Sequence, residues 1–141
     1  METNSINNFS KLGIAPAILD IIQKHKFFTP TPIQERAIPI ALEGKDLVGI
    51  AQTGTGKTLA FGIPMIQRGL QGKGIGLIVL PTRELALQVR EVLNLVGATF
   101  KIKTALLIGG APMGQQVAEI RRQPDIIIGT PGRIIDHLNQ R

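Results

Sequence analysis

The chain is 141 residues long, 43% hydrophobic but only 4% aromatic, and carries 16 basic against 10 acidic residues, a formal charge of 16 − 10 = +6. That length suits one domain with a real core, which must be built from Ile, Leu, Val and Ala. The lack of cysteine excludes a disulfide framework or thiolate metal site, the charge favours polyanionic partners without naming one, and no apolar run approaches the ~20 residues that span a bilayer.

The start, Met1-Glu2-Thr3-Asn4-Ser5, is not a signal peptide, so the cytoplasm is the expected compartment and the Asn8-Phe9-Ser10 sequon is a chance match. Residues 1–8 are polar and read as a disordered tail ahead of a domain covering 9–141. From Pro16, the spacing of Ile18, Leu19, Ile21 and Ile22 predicts an amphipathic helix, and Lys24-His25-Lys26 suits its carboxyl end. Phe27-Phe28-Thr29-Pro30-Thr31-Pro32-Ile33-Gln34 follows. Thr31 and Gln34 have capping-box spacing for a helix that runs to about Leu42, bent or shortened by Pro39 and ended by Gly44.

The short apolar run 47–50 reads as a strand, and Ala51-Gln52-Thr53-Gly54-Thr55-Gly56-Lys57-Thr58 leads from it into a helical segment over 59–65. Strand, glycine-rich turn, Lys-Thr, helix is the layout of a phosphate-binding loop. Its backbone N–H groups face an anion, Lys57 reaches the terminal phosphates, and the Thr58 hydroxyl is placed to ligate Mg²⁺. Ala51 stands where the strict pattern has Gly, while Gly54 and Gly56 keep the close backbone approach.

Beyond the Gly72-Lys73-Gly74 turn, residues 77–80 predict a buried strand, and Pro81-Thr82-Arg83-Glu84-Leu85 opens a helix with Leu85, Ala86, Val89, Val92, Leu93 and Val96 on one face. A strand over 105–108 ends at Gly109-Gly110, a weaker helix covers about 112–122, and a strand over 125–128 leads to Thr130-Pro131-Gly132-Arg133, with Thr130 as N-cap candidate and Pro131 at the first helical position. Strand alternating with helix predicts an α/β fold with a parallel sheet. All four turns follow a strand's carboxyl end, where open α/β sheets bind ligands. Two pair an arginine with a hydroxyl residue at a helix start, which suits a phosphodiester backbone.

At these residues the chain resembles the first RecA-like domain of a DEAD-box ATP-dependent RNA helicase, from about Phe9 to the end, with the motifs in family order. The resemblance implies a P-loop NTPase sheet with flanking helices. ATP would be bound by Phe9, Phe27, Thr29, Gln34 and the loop from Ala51 to Thr58, with Gln34 reading the adenine edge, Phe27 packing on the base and Thr58 on Mg²⁺. It also makes Pro81, Thr82, Arg83, Gly109, Gly110, Thr130, Pro131, Gly132 and Arg133 contacts to RNA backbone, independent of base sequence. Lys26 stands where the family usually has Gly.

The acidic motif that names the family is missing, as are the Ser-Ala-Thr motif after it and the second RecA-like domain with its arginine fingers. Of the four aspartates, Asp46 and Asp125 precede their strands, and Asp20 and Asp136 lie in helical patterns. None suits the role of the acid that holds Mg²⁺ and orients water at a strand's carboxyl end. The expectation is therefore the ATP- and RNA-binding part of a helicase that locally separates duplexes. By itself it would be inactive in hydrolysis and prone to self-association through uncovered sheet edges. The alternatives are a stand-alone nucleotide- or RNA-binding module without turnover and a small-molecule P-loop kinase. Proline-flanked Gln34 and the Thr/Arg turns speak against the kinase.

Overall fold

The computed structural model of the chain describes residues 8–52, 54 and 56–140. Of the expected tail over 1–8, residues 1–7 lie outside the described residues, as do the loop residues Thr53 and Thr55, while Asn8 opens a 3-10 turn. Contacts gather into two compact units, Met1–Gln71 and Gly72–Arg141.

The first unit is helical among its described residues. A 3-10 turn, Asn8–Lys11, precedes α1 (Pro16–Lys24), α2 (Pro32–Leu42) and α3 (Lys57–Leu70). Ile18 and Ile22 of α1, Ile38 of α2, and Ile63 and Ile66 of α3 form its core together with Phe9. The Gln67 amide ties the link between the 3-10 turn and α1 to α3: its oxygen accepts from Ala15 N at 2.8 Å and its nitrogen donates to Gly13 O at 3.2 Å. Pro39 does not shorten α2, which runs through it to Leu42; Pro64 is likewise carried inside α3.

Helix α1 ends as a Schellman motif. Phe27 N donates to Ile22 O at 3.0 Å and Lys26 N to Gln23 O at 2.9 Å, with Lys26 in the left-handed region at φ 63°. The position where the family resemblance expects Gly is thus a backbone position that favours Gly.

Residues 47–50 form no strand ladder, contrary to the expected strand. Val48 and Ile50 are each 92% exposed. A strand is stabilised by its neighbours, so an apolar run without a partner strand stays outside any ladder.

The second unit holds a three-stranded, all-parallel sheet in the order β1-β3-β2, made of β1 (Gly76–Val79), β2 (Thr104–Leu107) and β3 (Ile126–Gly129). Gly76 and Thr104 both register with Ile126, and Val79 and Leu107 with Gly129, so the three strands end level. Helices α4 (Arg83–Gly97), α5 (Met113–Arg121) and α6 (Pro131–Asn139) follow the strands. Ala86, Val89, Leu93 and Val96 bury one face of α4, but Leu85, expected on that face, is exposed in its first turn. The outer edge of β2 is guarded, since Glu119 of α5 accepts Leu106 N–H at 3.1 Å. Strand β1 has no partner on its outer side among the described residues, and its Leu77 and Val79 are exposed. No helix among the described residues is long and apolar enough to cross a membrane.

Candidate functional site

In the first unit, the start of α3 is the candidate anion site. Gly56 is its N-cap residue, in the left-handed region at φ 83°, and no described side chain caps the helix. The N–H groups of its first turn, Lys57, Thr58 and Leu59, have no intrahelical acceptor and carry the positive end of the helix dipole. Gly56 is required twice over. A Cβ there would meet the Gln34 amide nitrogen and stand 3.1 Å from Thr31 Oγ1, and its φ is one that other residues rarely adopt.

Gln34 explains that crowding. It is only 3% exposed, its Oε1 accepts from Thr31 N at 2.9 Å, and its Nε2 donates to Gly56 O at 3.1 Å. The residue expected at the adenine edge is therefore also the bolt that joins the start of α2 to the start of α3. Each amide atom keeps one further hydrogen-bonding position for a base. Thr31 Oγ1 is buried without a partner among the described residues. Phe9, expected against the nucleotide, is 1% exposed, so its ring belongs to the core and offers no face to a base. Phe27, at 37% exposure, does offer one, and Thr29 is exposed beside it. Gln52 and Lys57 are exposed, Thr58 and Ala51 half-buried, and Gly54 exposed with open space at its Cβ position.

An apolar cavity of about 280 Å³ lies beside this helix start, lined by Ile33, Ala37, Leu47, Ala60 and Phe61, with Lys57 contributing its cation. Among the described residues no three His, Cys, Asp or Glu side chains cluster to hold a metal. The Thr58 hydroxyl is the side-chain oxygen at this helix start that could join phosphate oxygens around Mg²⁺, an ion that keeps much of its water shell. Three of the four aspartates are placed as expected, Asp20 on α1, Asp125 before β3 and Asp136 on α6, whereas Asp46 precedes a run that forms no ladder. Asp125 accepts from Lys103 N at 2.8 Å, at the amino end of β3, and Asp136 sits on α6, 3.8 Å from Arg133.

In the second unit, three expected turns follow the level carboxyl ends of β1, β2 and β3. Thr82 caps α4, its hydroxyl accepting from Leu85 N at 3.2 Å. Arg83 is exposed and donates from Nη1 to Gly109 O at 2.9 Å, which brings the first turn onto the second. Gly110 has φ 80°, and a Cβ there would collide with the same guanidinium. Thr130 N donates to Leu107 O at 3.1 Å, joining the third turn to the end of β2. Thr130 takes the N-cap position of α6 but its hydroxyl makes no cap bond, while Pro131 and Gly132 are exposed in the first turn. Arg133 is more covered than a phosphate contact requires. Its side chain is 16% exposed, with Nη1 3.8 Å from Met113 Sδ and Nε 3.8 Å from Asp136.

Behind these turns sits Gln116, which the sequence reading passed over. It is one of two buried polar side chains among the described residues, the other being Gln34. Its Nε2 donates to Ile108 O at 2.7 Å, and its Oε1 lies 2.7 Å from His137 Nε2. Because a carbonyl can only accept, the amide orientation follows, and His137 must carry its proton on Nε2. Burial lowers the His137 pKa, Arg133 lowers it further, and Asp136 opposes them. The signal available in the sequence was spacing: Gln116 falls on the helical stripe of Met113 and Ile120, a polar residue where the pattern wants an apolar one.

A family model described as DEAD/DEAH box helicase matches residues 31–141. The ATP-dependent rRNA helicase RRP3 of Scheffersomyces stipitis is 50% identical over 134 residues, 94% of this chain and 28% of that relative. The protein of the same name from Debaryomyces hansenii is 47% identical over 133 residues, 93% of this chain and 28% of the relative. Among solved structures, a DEAD box protein from the hyperthermophile Methanococcus jannaschii aligns with TM-score 0.86 and 38% identity over 94% of this chain and 37% of its own. The RNA helicase Prp28 from Chaetomium thermophilum, bound to ADP, aligns with TM-score 0.85 and 36% identity over 95% of this chain and 34% of its own. The chain thus spans about 28% of the length of these curated relatives.

Proposed function

The chain belongs to the DEAD/DEAH box helicase family, and from that premise we propose that it is the ATP- and RNA-binding part of an ATP-dependent RNA helicase that locally separates or remodels duplexes. The observation that carries this reading is the start of α3: an uncapped helix opening on a left-handed Gly56 and bolted to the adenine-recognition helix by Gln34. Lys57 and the first-turn N–H groups hold the phosphates, Phe27 packs on the base and Gln34 reads its edge. Thr58, together with phosphate oxygens, would hold Mg²⁺, which would supply charge neutralisation at the phosphates. RNA lies along the turns at the carboxyl ends of β1, β2 and β3. Its contacts go to phosphate and sugar, so binding is salt-sensitive and nearly blind to sequence.

By itself the chain binds without turnover. None of its four aspartates lies at a strand's carboxyl end to orient water, and an arginine finger alone is worth about 10³–10⁵ in rate. Calorimetry and steady-state phosphate release test both halves of the proposal. ATP and ADP should bind in preference to guanine nucleotides, Lys57→Ala should weaken binding by about 1.5–3 kcal/mol, and phosphate release should stay at background with or without RNA. Equal affinity for GTP would remove the Gln34 assignment. RNA-stimulated release abolished by Lys57→Ala would mean that the chain assembles a complete catalytic site.

Self-association is part of the same proposal. It is supported by the exposed apolar run over 47–50 in one unit and, in the other, by the outer edge of β1, which has no partner strand among the described residues, each an invitation to pair with another copy.

A further inference from the structure

Two side-chain contacts meet at the turn after β2, and a third leads from one of them to α6. Arg83 Nη1 holds Gly109 O at 2.9 Å from one side, and Gln116 Nε2 holds the preceding carbonyl, Ile108 O, at 2.7 Å from the other. The Gln116 oxygen then reaches His137 Nε2 at 2.7 Å, on the helix that begins with the third turn. Gln116 is 3% exposed, and both ends of its amide are engaged inside the protein. A buried amide is costly unless all its strong positions are used. Here both ends are used, and donation runs in one direction from imidazole to amide to carbonyl, an arrangement in which each bond strengthens the next.

We propose that Gln116 is a positioning residue for the RNA-facing turns: by bridging the Ile108 carbonyl to His137, it fixes the Gly109-Gly110 turn to α6 so that the second and third turns present their backbone groups as one rigid surface. This rests on the RNA-binding reading above. Two consecutive carbonyls of a glycine-glycine turn are held by side chains from α4 and α5, which removes much of the freedom such a turn would otherwise have. The backbone bond from Thr130 N to Leu107 O, at 3.1 Å, joins the same two segments from the sheet side. The Gln116–His137 bridge closes the square from the helix side.

The test uses the chain itself with three variants. Gln116→Met keeps the side-chain volume and removes both hydrogen bonds. His137→Ala cuts only the link to α6, on a half-buried residue that puts folding at less risk. His137→Gln restores an N–H donor near the place of Nε2. Backbone amide exchange by NMR reads the turns without any ligand, anisotropy of a labelled oligo-U strand reads RNA, and a fluorescent ADP analogue reads the first unit as a control.

Gln116→Met and His137→Ala should each speed exchange at Gly109 and Gly110 about tenfold, with the global unfolding midpoint less affected. They should weaken RNA binding about fivefold to tenfold and leave ADP affinity unchanged. His137→Gln should recover most of both losses. The salt slope of RNA binding should not change in Gln116→Met, because no phosphate contact is lost, whereas Arg83→Ala should flatten it by about 0.7. Unchanged exchange at the two glycines overturns the brace. Faster exchange with unchanged RNA affinity overturns its positioning role. A wild-type chain that binds no RNA refutes the RNA reading instead, and the exchange data still judge the brace.

Discussion

Lys26 carries a cost that can be measured. It closes helix α1 at φ 63°, with its N–H on Gln23 O at 2.9 Å and the next N–H, from Phe27, on Ile22 O at 3.0 Å. In this conformation a Cβ crowds the backbone, at about 1–2 kcal/mol for an ordinary residue. Glycine escapes that cost but gives back about 0.4–1 kcal/mol through its freer unfolded chain. Lys26 also places a cation at a helix carboxyl end, worth about 0.3–1 kcal/mol, so the clean comparison is between two substitutions that both remove the charge. Lys26→Gly should be more stable than Lys26→Ala by about 0.5–1 kcal/mol, the difference of these terms, or a melting point about 2–4 °C higher. Urea unfolding followed by circular dichroism gives the number, provided the dependence on denaturant is the same for both. A glycine variant no more stable than the alanine one would refute the claim that the backbone at Lys26 is strained.

Other outcomes follow from single contacts. Gly110→Ala should lower stability by about 1–2 kcal/mol through its positive φ and, by displacing the Arg83 guanidinium, reduce RNA affinity, as read by urea unfolding and anisotropy. The lowered His137 pKa means that the unfolded chain binds the proton more readily. Its contribution to stability is complete above the ordinary histidine pKa of 6.5 and is lost as pH falls from there toward the lower folded value. Urea midpoints between pH 7.5 and 5 should therefore fall less steeply in His137→Gln than in the wild type. Glu119→Ala should leave Leu106 N–H unpaired, costing about 1–3 kcal/mol and raising self-association in light scattering, whereas Val48→Lys should lower it.

The sequence alone was enough for the helices and for the three strands that pair. Helical periodicity in α4, with Ala86, Val89, Leu93 and Val96 inward, is a property of consecutive residues. So are the Pro131 start of α6 and the Gly-Lys-Thr sequence at the start of α3, whose chemistry depends on residues adjacent in the chain. What the tertiary structure decided were matters of partnership between distant residues. The run over 47–50 has the composition of a strand but makes no ladder, because a ladder needs a neighbouring strand that composition cannot provide. Gln34, expected at the adenine edge, is also buried, with the carbonyl of Gly56, 22 positions away, on its amide nitrogen. Phe9 moved from site to core for the same reason. For Gln116, the helical stripe of Met113 and Ile120 marks a polar residue at an inward position but does not say what it bonds. Its meaning comes from the Ile108 carbonyl 8 residues before it and the His137 ring 21 residues after. Local pattern encodes which backbone conformation each segment prefers. Whether a polar atom faces a ligand, the solvent or another part of the protein is a question of burial, and burial is fixed only when the chain has packed.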